Sequence, residues 1–290
     1  MTLEWNDDRN AAKDADVPKM DTQYRRIGAY QIAVHRIGKG QPLLLLHGTP
    51  AYSYIWRQIA AELGQYFCVY LYDMLGYGES DKAIDDDVHL AVQAQLCVDM
   101  IRELEIQEPL VAAHDFGGAV ALRVHLLHQI PFRKLMLLDA VAMPGWGTPF
   151  AQLVREYHHV FRQIPQHMAE PMIRAYIETA MCNPRQEVLD EYMKPWQGDV
   201  GRAAFFNQIA QFDQIYTDEF VPLLPAISIP VHIVWGEQDQ WLPAAQSMLL
   251  SEQIPGATCT RIPNAGHFVQ EDQPARVIDE MKRFFCAIRI

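Results

Sequence analysis

The chain has 290 residues, 50% of them hydrophobic and 21% charged, which excludes a disordered tail protein and supplies core material for one large domain or two ordinary ones. Acidic residues number 36 against 24 basic ones, a formal charge of -12, so phosphate backbones and anionic membrane surfaces are repelled and neither nucleic acid nor a membrane is an expected partner. Five cysteines (Cys68, Cys97, Cys182, Cys259 and Cys286) are widely spaced and form no Cys-x-x-Cys pair, which argues against both a disulfide framework and a zinc knuckle.

In chain order, residues 1–23 alternate charge with small residues and are expected to be a mobile lead-in; with no apolar leader or span, a cytoplasmic protein is expected. Apolar runs at Tyr30 to His35, Leu43 to Leu46, Phe67 to Tyr72, Leu110 to Ala113, Lys134 to Leu138, Val231 to Trp235 and Ala257 to Ile262 read as strands, the later ones as buried strands of a parallel sheet. Helical spacing at Ser53 to Leu63, Asp87 to Leu104, Gly118 to His128, Ala244 to Gln253 and Pro274 to Ile288 alternates with them, the pattern of an α/β fold. Residues 144–222 break that rhythm. They hold only helical segments, Phe150 to Arg162, Pro165 to Met181, Gln186 to Lys194 and Val200 to Gln211. They are expected to form a helical cap over the carboxyl edge of a core made from residues 24–143 and 223–290, where open α/β sheets bind ligands.

Chemistry concentrates at the ends of strands. Val111-Ala112-Ala113-His114-Asp115-Phe116-Gly117-Gly118 is a strand, small residues, a reactive residue and paired glycines opening a helix, the pattern of a nucleophile elbow. Asp115 is the candidate nucleophile, with helix capping as the plain alternative. After Leu43 to Leu46 comes His47-Gly48-Thr49-Pro50, a tight turn whose Thr49 N–H, paired with that of Phe116, can form an oxyanion hole. Asp239 and His267 follow two later strands, giving the order nucleophile, acid, base. Asp139, ending the strand from Lys134, is an alternative acid. His47 and His114 read as supporting residues, and His158 and His159 lack metal-ligating companions. No cofactor or metal motif occurs.

These motifs, together with Asp73 to Ser80 and Trp235-Gly236-Glu237-Gln238-Asp239, resemble the α/β-hydrolase fold superfamily across residues 24–288. Asp in place of Ser is similar to the branch holding epoxide hydrolases and dehalogenases. The run from Leu46 to Arg57 looks most like haloalkane dehalogenases. That resemblance implies a mostly parallel sheet with flanking helices, an Asp115-His267-Asp239 triad, no cofactor, and an apolar small-molecule substrate attacked together with water, in a monomer or homodimer. Such dehalogenases hold the halide with a Trp after the nucleophile and a second Trp or Asn, positions that are Phe116 and Thr49 here. The Arg that follows the nucleophile of fluoroacetate dehalogenases is also missing. Epoxide hydrolases use cap tyrosines, and Phe205 and Phe206 stand where the second is expected. Tyr176 is therefore the first candidate donor to the leaving group, with Tyr157, Tyr192, Tyr216, Trp146 and Trp241 as further candidates. On this reading epoxide opening is favoured, with haloalkane dehalogenation and a hydrolase-fold ligand receptor as alternatives.

Overall fold

The computed structural model describes residues 20–82, 85 and 87–286; most of the expected lead-in lies outside the described residues. The strands are β1 (Gln23–Ile27), β2 (Tyr30–Gly38), β3 (Pro42–Leu46), β4 (Cys68–Tyr72), β5 (Leu110–His114), β6 (Lys134–Leu138), β7 (Val231–Gly236) and β8 (Thr258–Ile262). The helices are α1 (Arg57–Leu63), α2 (Leu90–Glu103), α3 (Phe116–Leu126), α4 (Pro149–Glu156), α5 (His158–Phe161), α6 (Gln166–Glu178), α7 (Gln186–Met193), α8 (Gly198–Ala210), α9 (Ile215–Asp218), α10 (Ala245–Gln253), α11 (Val269–Asp272) and α12 (Pro274–Cys286).

One sheet runs in the order β1-β2-β4-β3-β5-β6-β7-β8. β2 is antiparallel to β1 and β4, and all other neighbours are parallel. β5 is buried along its whole length and β3 from Leu43 on, because helices cover both faces; that is why they read as unbroken apolar runs. β3 lies between β4 and β5, so the strand order reverses there, and the loops leaving β3 and β5 open into one crevice at their carboxyl ends.

Three differences from expectation have local causes. β1, Gln-Tyr-Arg-Arg-Ile, is an edge strand that buries only Ile27, so no apolar run marks it. It begins at Gln23, one residue before the expected start of the core. The helix expected from Phe150 to Arg162 is broken at Tyr157, which leaves the helical region between α4 and α5. The short α9 has too few residues for a period to show.

The helices α4 to α9 lie between β6 and β7 in sequence and fasten to the core by side chains from both sides. The Trp196 indole N–H donates to Pro50 O at 3.1 Å, the Phe268 N–H donates to Ala180 O at 2.8 Å, and the Tyr192 hydroxyl donates to Glu271 Oε1 at 2.6 Å. Glu271 in turn pairs with Arg57 at 2.5 and 2.9 Å, both side chains being buried.

Candidate active site

Asp115 sits between the last residue of β5 and the first of α3, with φ 51° and ψ -118°. A non-glycine residue in that region is strained by about 1–3 kcal/mol and persists only where packing enforces it. Here glycines enforce it. A Cβ on Gly48 would come within 2.3 Å of Asp115 Cβ, one on Gly117 within 2.5 Å of His47 O, and one on Gly118 within 2.5 Å of Ala140 Cβ. Asp115 makes no side-chain capping bond to α3, which removes the plain alternative. Its Oδ1 instead accepts the Thr49 N–H at 2.7 Å.

His267 is fully buried and faces two carboxylates. Its Nδ1 lies 2.9 Å from Asp239 Oδ2 and its Nε2 lies 3.3 Å from Asp115 Oδ2. The second approach is not an aligned hydrogen bond, so Nε2 is left without a bonded partner. Burial opposes a charge on His267, but Asp239 and Asp115 outweigh it and hold the pKa well above the ordinary imidazole value. Burial likewise works against the Asp115 carboxylate, yet His267 and the Thr49 N–H leave its pKa lowered. Asp239 is fixed by the N–H groups of Trp241 and Leu242, which reach its Oδ1 at 2.8 and 2.9 Å.

Asp139, the alternative acid, lies beside this pair but does not bond to His267. Its Oδ1 accepts the Gly236 N–H at 2.8 Å and its Oδ2 has no hydrogen-bond partner. Burial and the Asp239 charge push its pKa well above the usual carboxylate range, which favours its neutral form. Asp139, Asp239 and His267 are also the grouping with metal-ligating proximity among the described residues. The hydrogen bonds to Asp239 already account for both of its oxygens.

The turn after β3 and the start of α3 frame Asp115 on the donor side. Thr49 N–H already points at the carboxylate, and Phe116, as the first residue of α3, has no acceptor for its N–H within the helix. His47 and His114 support the site from beneath. His47 Nδ1 donates to Gly48 O at 2.9 Å while its Nε2 accepts the Met74 N–H at 2.9 Å. His114 Nε2 donates to His267 O at 2.9 Å, and burial lowers its pKa to about 3, which keeps it neutral.

The leaving-group candidates separate. Tyr176 is partly buried near the constellation: its ring stacks on Trp241 with centroids 4.4 Å apart, and Trp241 lies 4.9 Å from the His267 ring. Its hydroxyl is 3.2 Å from Thr148 Oγ1. Thr148 Oγ1 also accepts the Ala151 N–H at 3.1 Å, and either hydroxyl of the Thr148–Tyr176 pair can be the donor. The other candidates are committed elsewhere. Tyr157 is exposed on the cap surface, Tyr216 stacks on His89, and the Tyr192 hydroxyl belongs to Glu271. Trp146 Nε1 donates to Thr217 Oγ1 at 3.0 Å and Trp241 Nε1 to Thr179 Oγ1 at 2.9 Å. Both tryptophans thus supply walls rather than free donors. With Phe116 and Phe212 they give the surroundings an aromatic, apolar character.

A cleft of about 620 Å³, lined by His35, Tyr52, Arg57, Asp73, Glu191 and Lys194 among others, does not reach Asp115. Its lining mixes charged side chains with the Tyr52 and Tyr54 rings. Two residues beside the constellation carry no sequence motif, Thr148 and Gln208, and Tyr77 lies in the Asp73 to Ser80 motif without having been singled out. The one signal for Gln208 was its position on α8, three residues after Phe205 on a face that is otherwise apolar.

Comparison with known proteins agrees with this architecture. Residues 41–274 match the family described as alpha/beta hydrolase fold. An alpha/beta hydrolase fold protein from Burkholderia ambifaria superposes with a TM-score of 0.87 at 37% identity, covering 91% of this chain and 99% of that one. A soluble epoxide hydrolase from Corynebacterium sp. (strain C12) is 26% identical over 292 residues, covering 91% of this chain and 96% of its own length. The haloalkane dehalogenase DatA from Agrobacterium tumefaciens C58 has a TM-score of 0.79 at 20% identity, over 92% of this chain and 96% of that one, a likeness of fold. With the sheet order, the elbow and the matched span in agreement, the chain belongs to the α/β-hydrolase fold family.

Proposed function

We propose that this protein is a hydrolase that opens an apolar epoxide through an ester formed on Asp115, its partners being that small molecule and water. The observation that carries the reading is the donor inventory around Asp115: both nearby indole N–H groups are bonded to threonines, whereas the Tyr176 hydroxyl meets the Thr148 hydroxyl, which can itself be the donor of that pair. An aspartate nucleophile fits an sp³ carbon, because attack there gives an ordinary, hydrolysable ester, while attack on an ester or amide would give an anhydride.

In the first half-reaction an Asp115 oxygen bonds to a ring carbon, the carbon–oxygen bond breaks, and its electron pair goes to the epoxide oxygen, which takes the Tyr176 proton. The new ester is uncharged. His267 thereby loses one of its two anionic neighbours, its pKa falls, and the proton it releases restores the tyrosine. In the second half-reaction neutral His267, oriented by Asp239, removes a proton from water whose oxygen attacks the Asp115 carbonyl carbon. Thr49 and Phe116 N–H groups hold the oxyanion. Collapse expels the product oxygen, which receives the His267 proton, and the carboxylic acid left on Asp115 passes its proton to His267, restoring the starting state.

A single turnover in heavy-oxygen water tests the ester: label is expected in the Asp115 carboxylate before it appears in product. A His267→Gln variant should accumulate the alkyl-enzyme with 1,2-epoxides as a mass increase on the Asp115 peptide. A faster adduct from 1-bromoalkanes, with halide released, moves the function to dehalogenation. No adduct from either class points to a ligand receptor.

A further inference from the structure

Gln208 projects from the cap helix α8 to the floor of the site and is 3% exposed. Its Oε1 accepts two hydrogen bonds, from the Thr49 hydroxyl at 2.5 Å and the Tyr77 hydroxyl at 2.7 Å. Its Nε2 is buried and has no hydrogen-bond partner among the described residues. An amide N–H2 without partners forgoes about 1–3 kcal/mol, and two hydroxyls from two different core loops aim it. Thr49 is the residue whose N–H reaches Asp115 Oδ1 at 2.7 Å. The donor is therefore one residue removed from the carboxylate, on the same face of α8 as Phe205, whose ring contacts that of Tyr176.

Gln208 occupies the place in the donor inventory that sequence comparison leaves blank. Phe116 and Thr49 supply no side-chain amide or indole, and Phe205 and Phe206 supply no second phenol. We propose that the Gln208 amide is a hydrogen-bond donor to the electronegative atom of a bound apolar ligand, the epoxide oxygen or a halide, beside Tyr176. Gln208 gives no proton away. It shares an N–H with the atom that receives the electron pair when the carbon–oxygen or carbon–halogen bond breaks, and Tyr176 supplies the proton where one is needed. Thr49 and Tyr77 are positioning residues, because their hydroxyls occupy Oε1 and so turn Nε2 toward the ligand.

The proposal deepens the aspartyl-ester reading, but it is tested by binding alone, so failure of the ester chemistry leaves its outcome readable. In protein labelled with nitrogen-15, the Gln208 side-chain amide signals are identified by their loss in Gln208→Met, a donor-free replacement of similar length. The probes are 1,2-hexanediol, which presents hydroxyl oxygens, and sodium bromide. Saturable movement of the Gln208 signals with either probe, and about tenfold weaker binding of that probe to Gln208→Met, supports the assignment. The diol arm reports an oxygen subsite and the bromide arm a halide subsite. Thr49→Val should reduce the shift by freeing the amide to rotate. The proposal is overturned if neither probe binds, if the signals stay fixed while those of Trp241 move, or if a folded Gln208→Met protein binds as tightly as the parent. A Gln208→Met protein that does not fold leaves the judgement to the parent's signals and to Thr49→Val.

Discussion

The Tyr176 ring lies flat against Trp241, with planes 11° apart and centroids separated by 4.4 Å. Stacking of this kind fixes the orientation of the phenol ring, and the hydroxyl is held 3.2 Å from Thr148 Oγ1. Tyr176→Phe keeps the stack and removes only the proton. The rate of ester formation with an epoxide should fall by about 10²-fold or more, while the melting temperature changes little. Quenched-flow mass analysis reads the first quantity and thermal unfolding the second. An unchanged rate would remove Tyr176 from the mechanism.

The two buried acids should respond differently to the same substitution. Asp239→Asn replaces the acceptor that orients His267, and hydrolysis of the ester should slow by a factor on the order of 10⁴. Asp139→Asn retains an acceptor for the Gly236 N–H and removes a carboxyl that makes no hydrogen bond to His267, so turnover should stay within a few-fold of the parent. Steady-state kinetics on the two variants decide it. Reversed losses would make Asp139 the working acid.

His267 gives the reaction a pH dependence of predictable sign. Ester hydrolysis needs the neutral imidazole, so the alkyl-enzyme should accumulate as pH falls, seen as a larger pre-steady-state burst. Stability runs the same way. The folded-state pKa of His267 is raised, so its contribution is complete below the unfolded value of about 6.5 and is lost as pH rises through the folded value. Thermal unfolding measured upward from neutral pH should therefore fall more steeply for the parent than for His267→Gln.

The Arg57–Glu271 pair joins core, cap and the segment after the base loop, and its side chains are 6% and 2% exposed. Arg57→Met should destabilise by about 1–3 kcal/mol, because it leaves the buried Glu271 carboxylate with the Tyr192 hydroxyl and the more distant Arg185 alone. Arg57→Met with Glu271→Gln should recover a good part of that loss. Urea unfolding of the three proteins measures both figures, and equal stability of single and double variants would contradict the account.

Much of this was legible in the sequence because the elements concerned are local. β3 and β5 are continuous apolar runs, the elbow needs its small residues within one turn, and Asp239 and His267 each follow a strand by a few residues. What stayed hidden depends on distant segments meeting. Tyr192 has the same type and a similar helical setting as Tyr176, and only the position of Glu271 shows that its hydroxyl is taken. Gln208 is an ordinary polar residue until Thr49 and Tyr77, 159 and 131 positions away, close on its carbonyl. β1 escaped notice because an edge strand needs one buried side chain, not a pattern.

The hydrogen bond from Phe268 N–H to Ala180 O bears on any attempt to exchange one cap for another. Ala180 follows α6 in the cap, and Phe268 is the residue after His267. Gly266 is pressed against the same carbonyl, where a Cβ would come within 2.7 Å, and the Trp241 indole is tied to Thr179 next door. A chimaera that replaces residues 144–222 to alter substrate preference would thus also remove the surface against which the base loop is moulded. Grafts that retain the Thr179-Ala180 segment and change only α4 and α5 would vary the outer part of the cap while leaving the catalytic loop its original seat.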